Sequence, residues 1–172
     1  VVRRAGSPAT TEANATPRQL TTWRGPDRGA VWSPDGTRIA YLQASEPQLS
    51  AYTQNTIAIV PASGGAPTLI AAPLDRDVEE LRWSPDGKTL YFLMADDRTG
   101  PFAQVSLETG AVTRLLDGRR LVSSYDMTTN GRTVVNVATA QKSAEVFALE
   151  NGALRALTHV NDSIFAALRV GI

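Results

Sequence analysis

Few side chains in this sequence could do acid–base or nucleophilic chemistry. The 172 residues contain a single imidazole, His159, and no cysteine, which excludes a thiol nucleophile, a cysteine-bearing zinc site and any site that needs two imidazoles. A serine nucleophile on a strained elbow needs glycine two residues before it and two residues after it. Ser63 comes closest, but Pro61 stands at the first of these positions. We therefore predict no catalytic residue in this chain and interpret His159 as a loop residue that follows a fourth strand.

Carboxylates offer a different chemistry, because a pair of them can hold a cation such as a substrate ammonium in a partly dry cavity. Glu79 and Glu80 form such a pair, and Asp75-Arg76-Asp77 lies just before them. The two glutamates are the candidate substrate-binding residues, although the sequence favours solvated loop charges in front of a strand. Asp96-Asp97-Arg98 is likewise interpreted as an exposed loop. A calcium site would need several spaced oxygen ligands, and that spacing is missing, so we expect neither a metal nor a cofactor.

The overall composition narrows the class of protein. Lys and Arg together number 17, as do Asp and Glu, so the formal net charge is zero. A binder of nucleic acid or of a membrane surface needs a basic face, and no apolar run approaches the ~18 residues of a membrane span. Neither kind of partner is therefore expected. Hydrophobic residues make up 42% of the chain, as is usual for a folded globular protein.

Internal repeats decide the fold. Trp32-Ser33-Pro34-Asp35-Gly36 recurs as Trp83-Ser84-Pro85-Asp86-Gly87, and a degraded copy follows as Met127-Thr128-Thr129-Asn130-Gly131. A second landmark, a turn that opens a strand, recurs in step with the first at Gly65–Ile70, Gly110–Leu115 and Gly152–Leu157, with a weaker first copy at Ala15–Leu20. Two landmarks that keep one register indicate repeats of a single structural unit.

The five-residue motif is typical of a turn between two strands. Proline supplies the φ of the first turn position, and Asp-Gly supplies a side-chain cap and a residue with positive φ. The second landmark is typical of a hairpin turn. Each unit is therefore predicted to contain four strands: Gly29–Trp32, Arg38–Gln43, Asn55–Val60 and Thr68–Ala71; Val78–Trp83, Thr89–Met94, Phe102–Ser106 and Ala111–Leu116; Val122–Met127, Thr133–Ala138, Ala144–Ala148 and Leu154–Leu157. The best helical candidate, Ser163–Leu168, is short.

Four short strands every 40 to 50 residues or so are typical of a β-propeller blade. We predict an all-β fold, namely an incomplete propeller with three full four-stranded blades and part of an earlier one; an all-β sandwich is the alternative. Trp32 and Trp83 hold equivalent repeat positions, so we expect them to pack between blades rather than to stack on a ligand. Trp23 is not repeated and is a candidate for a surface or domain contact. Since a ring needs at least about four blades to close, something else must cover the outer blade faces.

The Trp-Ser-Pro-Asp-Gly copies resemble the propeller repeat shared by TolB, tricorn-type proteases and the prolyl oligopeptidase (S9) family of serine peptidases. Ser143–Leu149, Leu157–Asp162 and Leu168–Gly171 are similar to the last propeller blade of acylaminoacyl-peptidase-like members of S9. The chain as a whole resembles an S9 propeller domain of the acylaminoacyl-peptidase or dipeptidyl-peptidase kind. In that family a Leu-Thr-x-x-Asn segment ends the propeller, and the chain then enters an α/β-hydrolase domain. Dipeptidyl-peptidase members hold a substrate amine with paired propeller glutamates, but these sit in a different motif from Glu79-Glu80.

The resemblance implies a domain order. Residues 1–21 would end an earlier blade, residues 22–73, 74–118 and 119–158 would form blades, and residues 159–172 would lead towards a hydrolase domain that is absent from this chain. The expected partners are this α/β-hydrolase domain of the same protein and a peptide substrate, and homo-oligomerisation is left open. We expect a bacterial source; the compartment is not fixed, with the cytoplasm favoured over the periplasm.

The resemblance also implies a function. The chain would be the non-catalytic propeller portion of a serine oligopeptidase, and it would gate the access of short peptides to a separate active site. The parent protein would hydrolyse peptides of the aminoacyl, acylaminoacyl or dipeptidyl kind. The alternative is a TolB-like propeller that binds a protein partner and has no catalytic activity.

Overall fold

The computed structural model describes residues 17–48 and 53–168. These residues form three antiparallel four-stranded sheets, which we call blades 1, 2 and 3. Blade 1 contains β1 (Asp27–Trp32), β2 (Arg38–Ala44), β3 (Asn55–Pro61) and β4 (Thr68–Ile70); blade 2 contains β5 (Val78–Trp83), β6 (Thr89–Met94), β7 (Phe102–Ser106) and β8 (Val112–Leu116); blade 3 contains β9 (Leu121–Met127), β10 (Thr133–Ala138), β11 (Glu145–Glu150) and β12 (Ala153–Ala156). A 3₁₀ turn, Ala72–Leu74, joins blades 1 and 2, and a short helix α1 (Asp162–Ala167) follows blade 3.

The strands predicted from the repeats are the strands of the structure. Those over 78–83, 89–94, 102–106 and 133–138 agree to the residue. The others differ by one or two residues at one end, or at both ends for β11 and β12. The fourth strand of blade 1 stops at Ile70 because Ala71 has a φ of 55°, which an extended strand does not allow. The helix begins one residue before the predicted candidate. No helix in the described part of the chain is long and apolar enough to cross a membrane.

The hydrophobic core lies between the blades. Because side chains alternate between the two faces of a strand, Leu90, Phe92 and Met94 of β6 belong to the cluster shared with blade 1, while Leu93 belongs to the cluster shared with blade 3. Blade 1 contributes Ala40, Leu42, Ile57 and Ile59 to the first cluster, and blade 3 contributes Val122, Tyr125, Val135 and Val137 to the second. Burial of this apolar area locks each blade to its neighbour. The three sheets are therefore packed in sequence order, as in a propeller.

The two repeat tryptophans differ in their surroundings. Trp83 is only 8% exposed, its Nε1 donates a hydrogen bond of 3.1 Å to the carbonyl of Val31, and the guanidinium of Arg38 lies 4.8 Å from its ring centroid. The predicted interblade packing is confirmed for Trp83. For Trp32 it stays a prediction: this side chain is 62% exposed, and no described blade lies on its side of blade 1. Trp23 is partly exposed and donates from Nε1 to the carbonyl of Ala44 at 2.9 Å.

A hydrogen-bond network builds the motif turn. The hydroxyl of Ser33 donates to Oδ1 of Asp35 at 2.6 Å and accepts the backbone N–H of Arg38 at 2.9 Å. The N–H of Thr37 adds a 3.0 Å bond to the same carboxylate. Gly36 closes the turn with a φ of 70°, where a side chain would be strained. The Ser33 hydroxyl, followed by the Thr37 amide, lowers the pKa of Asp35 to about 2.

The other two copies of the motif fold in the same way. In blade 2 the same roles fall to Ser84, Asp86, Gly87, Lys88 and Thr89. In blade 3, Thr128 replaces the serine and accepts the N–H of Arg132 at 3.0 Å, so this turn is one residue shorter. The degraded sequence thus keeps the turn because threonine and asparagine supply the same donors and acceptors.

The earlier blade proposed for residues 1–21 lies mostly outside the described residues, as do Ala15, Thr16 and the end of the exit segment, 169–172. Residues 17–23 contain no strand. Leu20 nevertheless packs against Ile39, Tyr41, Ala58 and Val60 on the free side of blade 1. Its repeat equivalents, Ile70 and Leu115, pack against the two interblade clusters in the same manner. The assignment of this segment to an earlier blade stays a prediction.

Candidate functional site

The first strands of the blades form one edge of the assembly. β5 packs against β1 as well as against β2 and β3. Side chains of β9 contact β5 through Tyr125 and Asp126, so the first strands of successive blades adjoin. Blades of a propeller surround a central channel, and we take this edge as the inner one. Its exposed polar side chains are Asp27 and Arg28 in β1; Glu79, Glu80 and Arg82 in β5; and Ser123, Ser124 and Asp126 in β9.

Glu79 and Glu80 lie within β5, where a bulge interrupts the pairing with β6. Glu79 pairs with Leu93, but the next paired residue is Arg82, opposite Tyr91. The interpretation of the two glutamates as loop charges in front of a strand is therefore wrong, although both side chains are exposed. A bulge of this kind bends the strand and leaves its extra residue unpaired, and the register shift here falls between Glu79 and Arg82.

Glu80 occupies the left-handed region with a φ of 53°. The equivalent residue of blade 1 is Gly29, with a φ of 64° in a similar bulge of β1. A residue with a side chain costs about 1–2 kcal/mol in this conformation. Blade 2 therefore carries a glutamate with a strained backbone at the position where blade 1 has glycine. Backbone strain of this kind is often found at functional positions.

Blade 3 holds this bulge in place. The hydroxyl of Tyr125 in β9 donates to the carbonyl oxygen of Glu80 at 2.5 Å. The Tyr125 ring packs against Phe102 with 4.5 Å between centroids, and burial raises the pKa of its hydroxyl, so it stays protonated and able to donate. Above the ring, Arg82 forms an ion pair with Asp126 and lies 5.8 Å from the ring centroid.

The carboxylate pair is electrostatically suited to a cation. Partial burial raises the pKa of Glu80, and the adjacent charge of Glu79 raises it further. A bound ammonium would relieve both effects, because it would replace lost solvation and offset the like-charge repulsion. No group of three or more acidic, histidine or cysteine side chains in the described ranges could hold a metal ion.

The acidic cluster that the sequence groups with Glu79 and Glu80 is dispersed. Asp77 accepts hydrogen bonds from the backbone N–H and the side-chain amide of Asn55, each at 2.7 Å. Asn55 in turn accepts two bonds from Arg28, so this chain of contacts ties β1 and β3 to the connection between blades. Asp75 remains an exposed residue of that connection. These aspartates serve the joint between blades and do not join the glutamate pair.

Asp96 is not the exposed loop residue that the sequence predicted. Its carboxylate is 15% exposed and pairs with Arg76 at 2.7 Å and with Arg114. These two guanidinium groups, Arg76 first, lower the pKa of Asp96. Asp97 and Arg98 at the tip of the loop are exposed, as predicted.

His159 lies in the segment between β12 and α1. Its Nδ1 is 2.9 Å from Oδ2 of Asp162, and the ring is exposed. The segment itself is fixed by Glu145 of β11, which accepts a hydrogen bond from the Thr158 hydroxyl and another from the Asn161 N–H at 2.9 Å. The threonine and asparagine of the Leu-Thr-x-x-Asn pattern therefore anchor the exit of blade 3. That His159 is not catalytic stays a prediction.

Sequence reasoning missed Tyr125, Arg82 and Asp126. Their roles depend on contacts between strands of different blades, which no local pattern displays. One signal was present: aligning the repeats sets Glu80 against Gly29 and so marks Glu80 as a residue in a position suited to glycine.

Curated relatives match part of the chain. No family model matches the chain. Dipeptidyl-peptidase 5 of Trichophyton equinum is 38% identical over 85 residues, which is 49% of this chain and 12% of that protein, and dipeptidyl-peptidase 5 of Arthroderma otae is 36% identical over 77 residues, 44% of this chain and 10% of that protein. The chain thus spans only about an eighth of the length of these curated relatives. They come from fungi, so the expected bacterial source is not confirmed.

Solved structures share the architecture. The acylaminoacyl peptidase of Pyrococcus horikoshii superposes with a TM-score of 0.63 at 23% identity, over 78% of this chain and 20% of that one. The β-propeller domain of the trilobed protease of Pyrococcus furiosus superposes with a TM-score of 0.60 at 25% identity, over 78% of this chain and 38% of that one. TolB of Acinetobacter baumannii superposes with a TM-score of 0.60 at 20% identity, over 84% of this chain and 35% of that one. The incomplete β-propeller and its resemblance to S9 peptidase propeller domains are thereby confirmed.

Proposed function

We propose that this chain is the non-catalytic propeller portion of a serine oligopeptidase of the S9 family, whose active site lies in a separate α/β-hydrolase domain of the same protein. The observation that carries the proposal is the 38% identity over 85 residues with dipeptidyl-peptidase 5. The sequence has no serine on a Gly-x-Ser-x-Gly elbow, so the nucleophile would come from that other domain. Residues 22–73, 74–118 and 119–158 would be blades, and 159–172 would lead into the hydrolase.

The propeller would act as a gate. Buried apolar clusters lock blade 1 to blade 2 and blade 2 to blade 3, and such close-packed joints do not deform readily. An opening framed by them has a nearly fixed size, so short flexible peptides would pass and folded proteins would not. The substrates of the parent protein would be short peptides of the aminoacyl, acylaminoacyl or dipeptidyl kind.

Glu79 and Glu80 would hold the amino terminus of the substrate. They lie on the inner edge, one of them is kept in a strained bulge by Tyr125, and partial burial together with the charge of Glu79 raises the pKa of Glu80. A peptide with a free ammonium would use this pair, whereas an N-acylated peptide would not. The pair therefore separates dipeptidyl or aminoacyl substrates from acylaminoacyl substrates.

The kinetic test uses the protein that contains this chain together with the sequence that follows it. We expect Glu79→Gln and Glu80→Gln to raise KM by about tenfold for Ala-Ala-p-nitroanilide and to leave KM for its N-acetyl form unchanged. Glu108→Gln, in an exposed turn of blade 2, is the matched control. Equal effects on the two substrates, or none on either, would remove the glutamates from the proposal.

A TolB-like propeller that binds a protein partner is the second candidate. It is favoured by the TolB superposition, which covers 84% of this chain, more than the acylaminoacyl peptidase covers. The sequence that follows Ile172 separates the two candidates. Further Trp-Ser-Pro-Asp-Gly repeats would favour the binding propeller, and a Gly-x-Ser-x-Gly elbow would favour the peptidase.

A further inference from the structure

A cavity of about 680 Å³ opens between blades 2 and 3. Three segments line it: the loop after β6 with Asp97, Arg98 and Thr99; the residues Arg119, Arg120 and Leu121 at the start of β9; and the loop after β10 with Ala138, Thr139 and Ala140. Its volume lies within the range of about 300–1,000 Å³ that is usual for small-ligand sites. We call it the arginine cavity.

Positive charge dominates the lining of the arginine cavity. Among the described residues, no carboxylate lies within 4.0 Å of the guanidinium of Arg119 or Arg120, and neither side chain makes a hydrogen bond. Arg98 contacts only Asp97, at 3.8 Å, and both of these side chains are exposed. By contrast, Arg76 and Arg114 nearby are both engaged by Asp96. The cavity therefore offers solvent-accessible guanidinium groups that no carboxylate of the described residues engages at Arg119 and Arg120, in a chain whose net charge is zero.

Backbone hydrogen bonds and ion pairs define the loop that carries Arg98. Asp96 and Thr99 exchange backbone hydrogen bonds of 3.0 and 2.8 Å, and the two residues between them, Asp97 and Arg98, both have positive φ, at 39° and 65°. This is the geometry of a tight two-residue hairpin turn, formed here without glycine. The ion pairs of Asp96 with Arg76 and Arg114 hold the base of the turn. The turn therefore presents Arg98 from a fixed support.

The loop is also joined to the other wall of the cavity. Gly100 donates to the carbonyl of Arg120 at 3.0 Å, and Val122 donates to the carbonyl of Gly100 at 2.9 Å. The two backbones approach so closely that a Cβ on Gly100 would lie 3.4 Å from both the backbone nitrogen and the carbonyl oxygen of Val122. These bonds join the backbones that carry Arg98 and Arg120, so both arginines extend from linked parts of blades 2 and 3.

We propose that the arginine cavity binds the carboxylate of a short peptide. The planar guanidinium groups match a carboxylate in two parallel hydrogen bonds, and Leu121, Ala138 and Ala140 give a partly apolar wall for a side chain. That the carboxylate belongs to a peptide rests on the proposed function. Arg119 and Arg120 directly precede β9, and Glu79 lies at the start of the equivalent strand β5, so the cationic and anionic groups flank the same mouth of the channel.

The test measures binding to this 172-residue chain and needs no hydrolase domain, so it can fail or succeed independently of the proposed peptidase. The probes are acetyl-Ala-Ala-Ala as the free acid, the same peptide as its amide, acetyl-Ala-Glu-Ala-amide, and inorganic phosphate. We expect the free acid to bind at least about tenfold more tightly than the amide, and the affinity to fall as salt is added. Equal affinities of acid and amide, or tighter binding of phosphate than of either acidic peptide, would overturn the proposal.

The glutamyl peptide identifies the source of the carboxylate. Tighter binding of the free acid supports a peptide carboxyl terminus, and tighter binding of the glutamyl amide supports an acidic side chain. The double variant Arg119→Gln/Arg120→Gln is expected to lose at least about tenfold in affinity, and Arg98→Gln to lose part of it. Arg132→Gln, an exposed arginine outside the arginine cavity, is the matched control. Unchanged affinity in the double variant, with an unchanged melting temperature, would contradict the assignment.

Discussion

The hydroxyl of Tyr125 in blade 3 donates a 2.5 Å hydrogen bond to the carbonyl of Glu80 in blade 2. This bond joins two blades at their inner edge and fixes the β5 residue that lies in the left-handed region. The position of the glutamate pair thus depends on a residue 45 positions away in the sequence. The candidate site is a property of two blades together.

Removing this hydroxyl should loosen the joint. We expect Tyr125→Phe to lower the free energy of unfolding by about 1 kcal/mol, because the ring still packs on Phe102 while the Glu80 carbonyl loses its donor. Urea denaturation measures the change. Tyr91→Phe is the control, since the Tyr91 hydroxyl makes no hydrogen bond within the described part of the chain. A Tyr125→Phe protein as stable as the wild type would show that the bond does not hold the bulge.

Relieving the backbone strain at Glu80 should raise the free energy of unfolding. Glycine adopts positive φ without penalty, so Glu80→Gly is expected to stabilise the protein by about 1 kcal/mol. Glu79 is the preceding residue of the strand and is not among the residues with positive φ. Glu79→Gly is therefore expected to destabilise the protein by about 0.5–1 kcal/mol, because glycine loses more conformational freedom on folding. Thermal unfolding of the two variants gives the comparison. The same sign in both would argue against strain at Glu80.

The turn aspartate should make the fold sensitive to acid. The folded-state pKa of Asp35 is lowered from 3.8 to about 2 by the hydroxyl of Ser33 and the amide of Thr37. A lowered carboxyl pKa contributes stability that is complete above the unfolded value and is lost as pH falls through the folded value. Wild type should therefore melt at a higher temperature than Asp35→Asn above pH ~4, and this difference should shrink as the pH falls towards ~2. The control is Asp97→Asn, whose carboxylate contacts only Arg98; a gap that persists at pH ~2 would refute the argument.

The two tryptophans form a matched pair for a packing test. Trp83→Phe removes the hydrogen bond to Val31 and the contact with Arg38, and we expect a loss of about 2 kcal/mol in unfolding free energy. Trp32→Phe changes an exposed side chain and should cost no more than about 0.5 kcal/mol. Guanidinium denaturation of the isolated chain separates them. Equal costs would mean that Trp32 is buried in solution.

The architecture was predictable because the repeats carry it. Once Trp32 and Trp83 set the register, the strands of blade 2 followed almost to the residue. The Asp-Gly pairs predicted the turns, and Gly36 and Gly87 both have positive φ. The exposure of Trp32 was not predictable, since burial depends on whether a neighbouring blade is present. The burial of Asp96 was hidden for a similar reason, because its partners Arg76 and Arg114 come from two separate elements.

The candidate site was predicted only in outline. Glu79 and Glu80 were identified by residue type, but their place inside a bulged strand depends on pairing with β6. The arginine cavity has a visible sequence signal in Arg119-Arg120, yet its second wall comes from a loop about 20 residues earlier that is joined to it by backbone hydrogen bonds. Such long-range contacts carry no local pattern.

Labelling with a fluorophosphonate probe tests the central claim most directly. The probe reacts covalently with an activated serine, so it would be applied to this 172-residue chain and to a protein that continues past Ile172 through the sequence that follows in the gene. The account predicts no labelling of the 172-residue chain and labelling of the longer protein at a single serine beyond residue 172. Labelling of the short chain, or no labelling of the long one, would contradict a propeller that serves a separate serine-hydrolase domain.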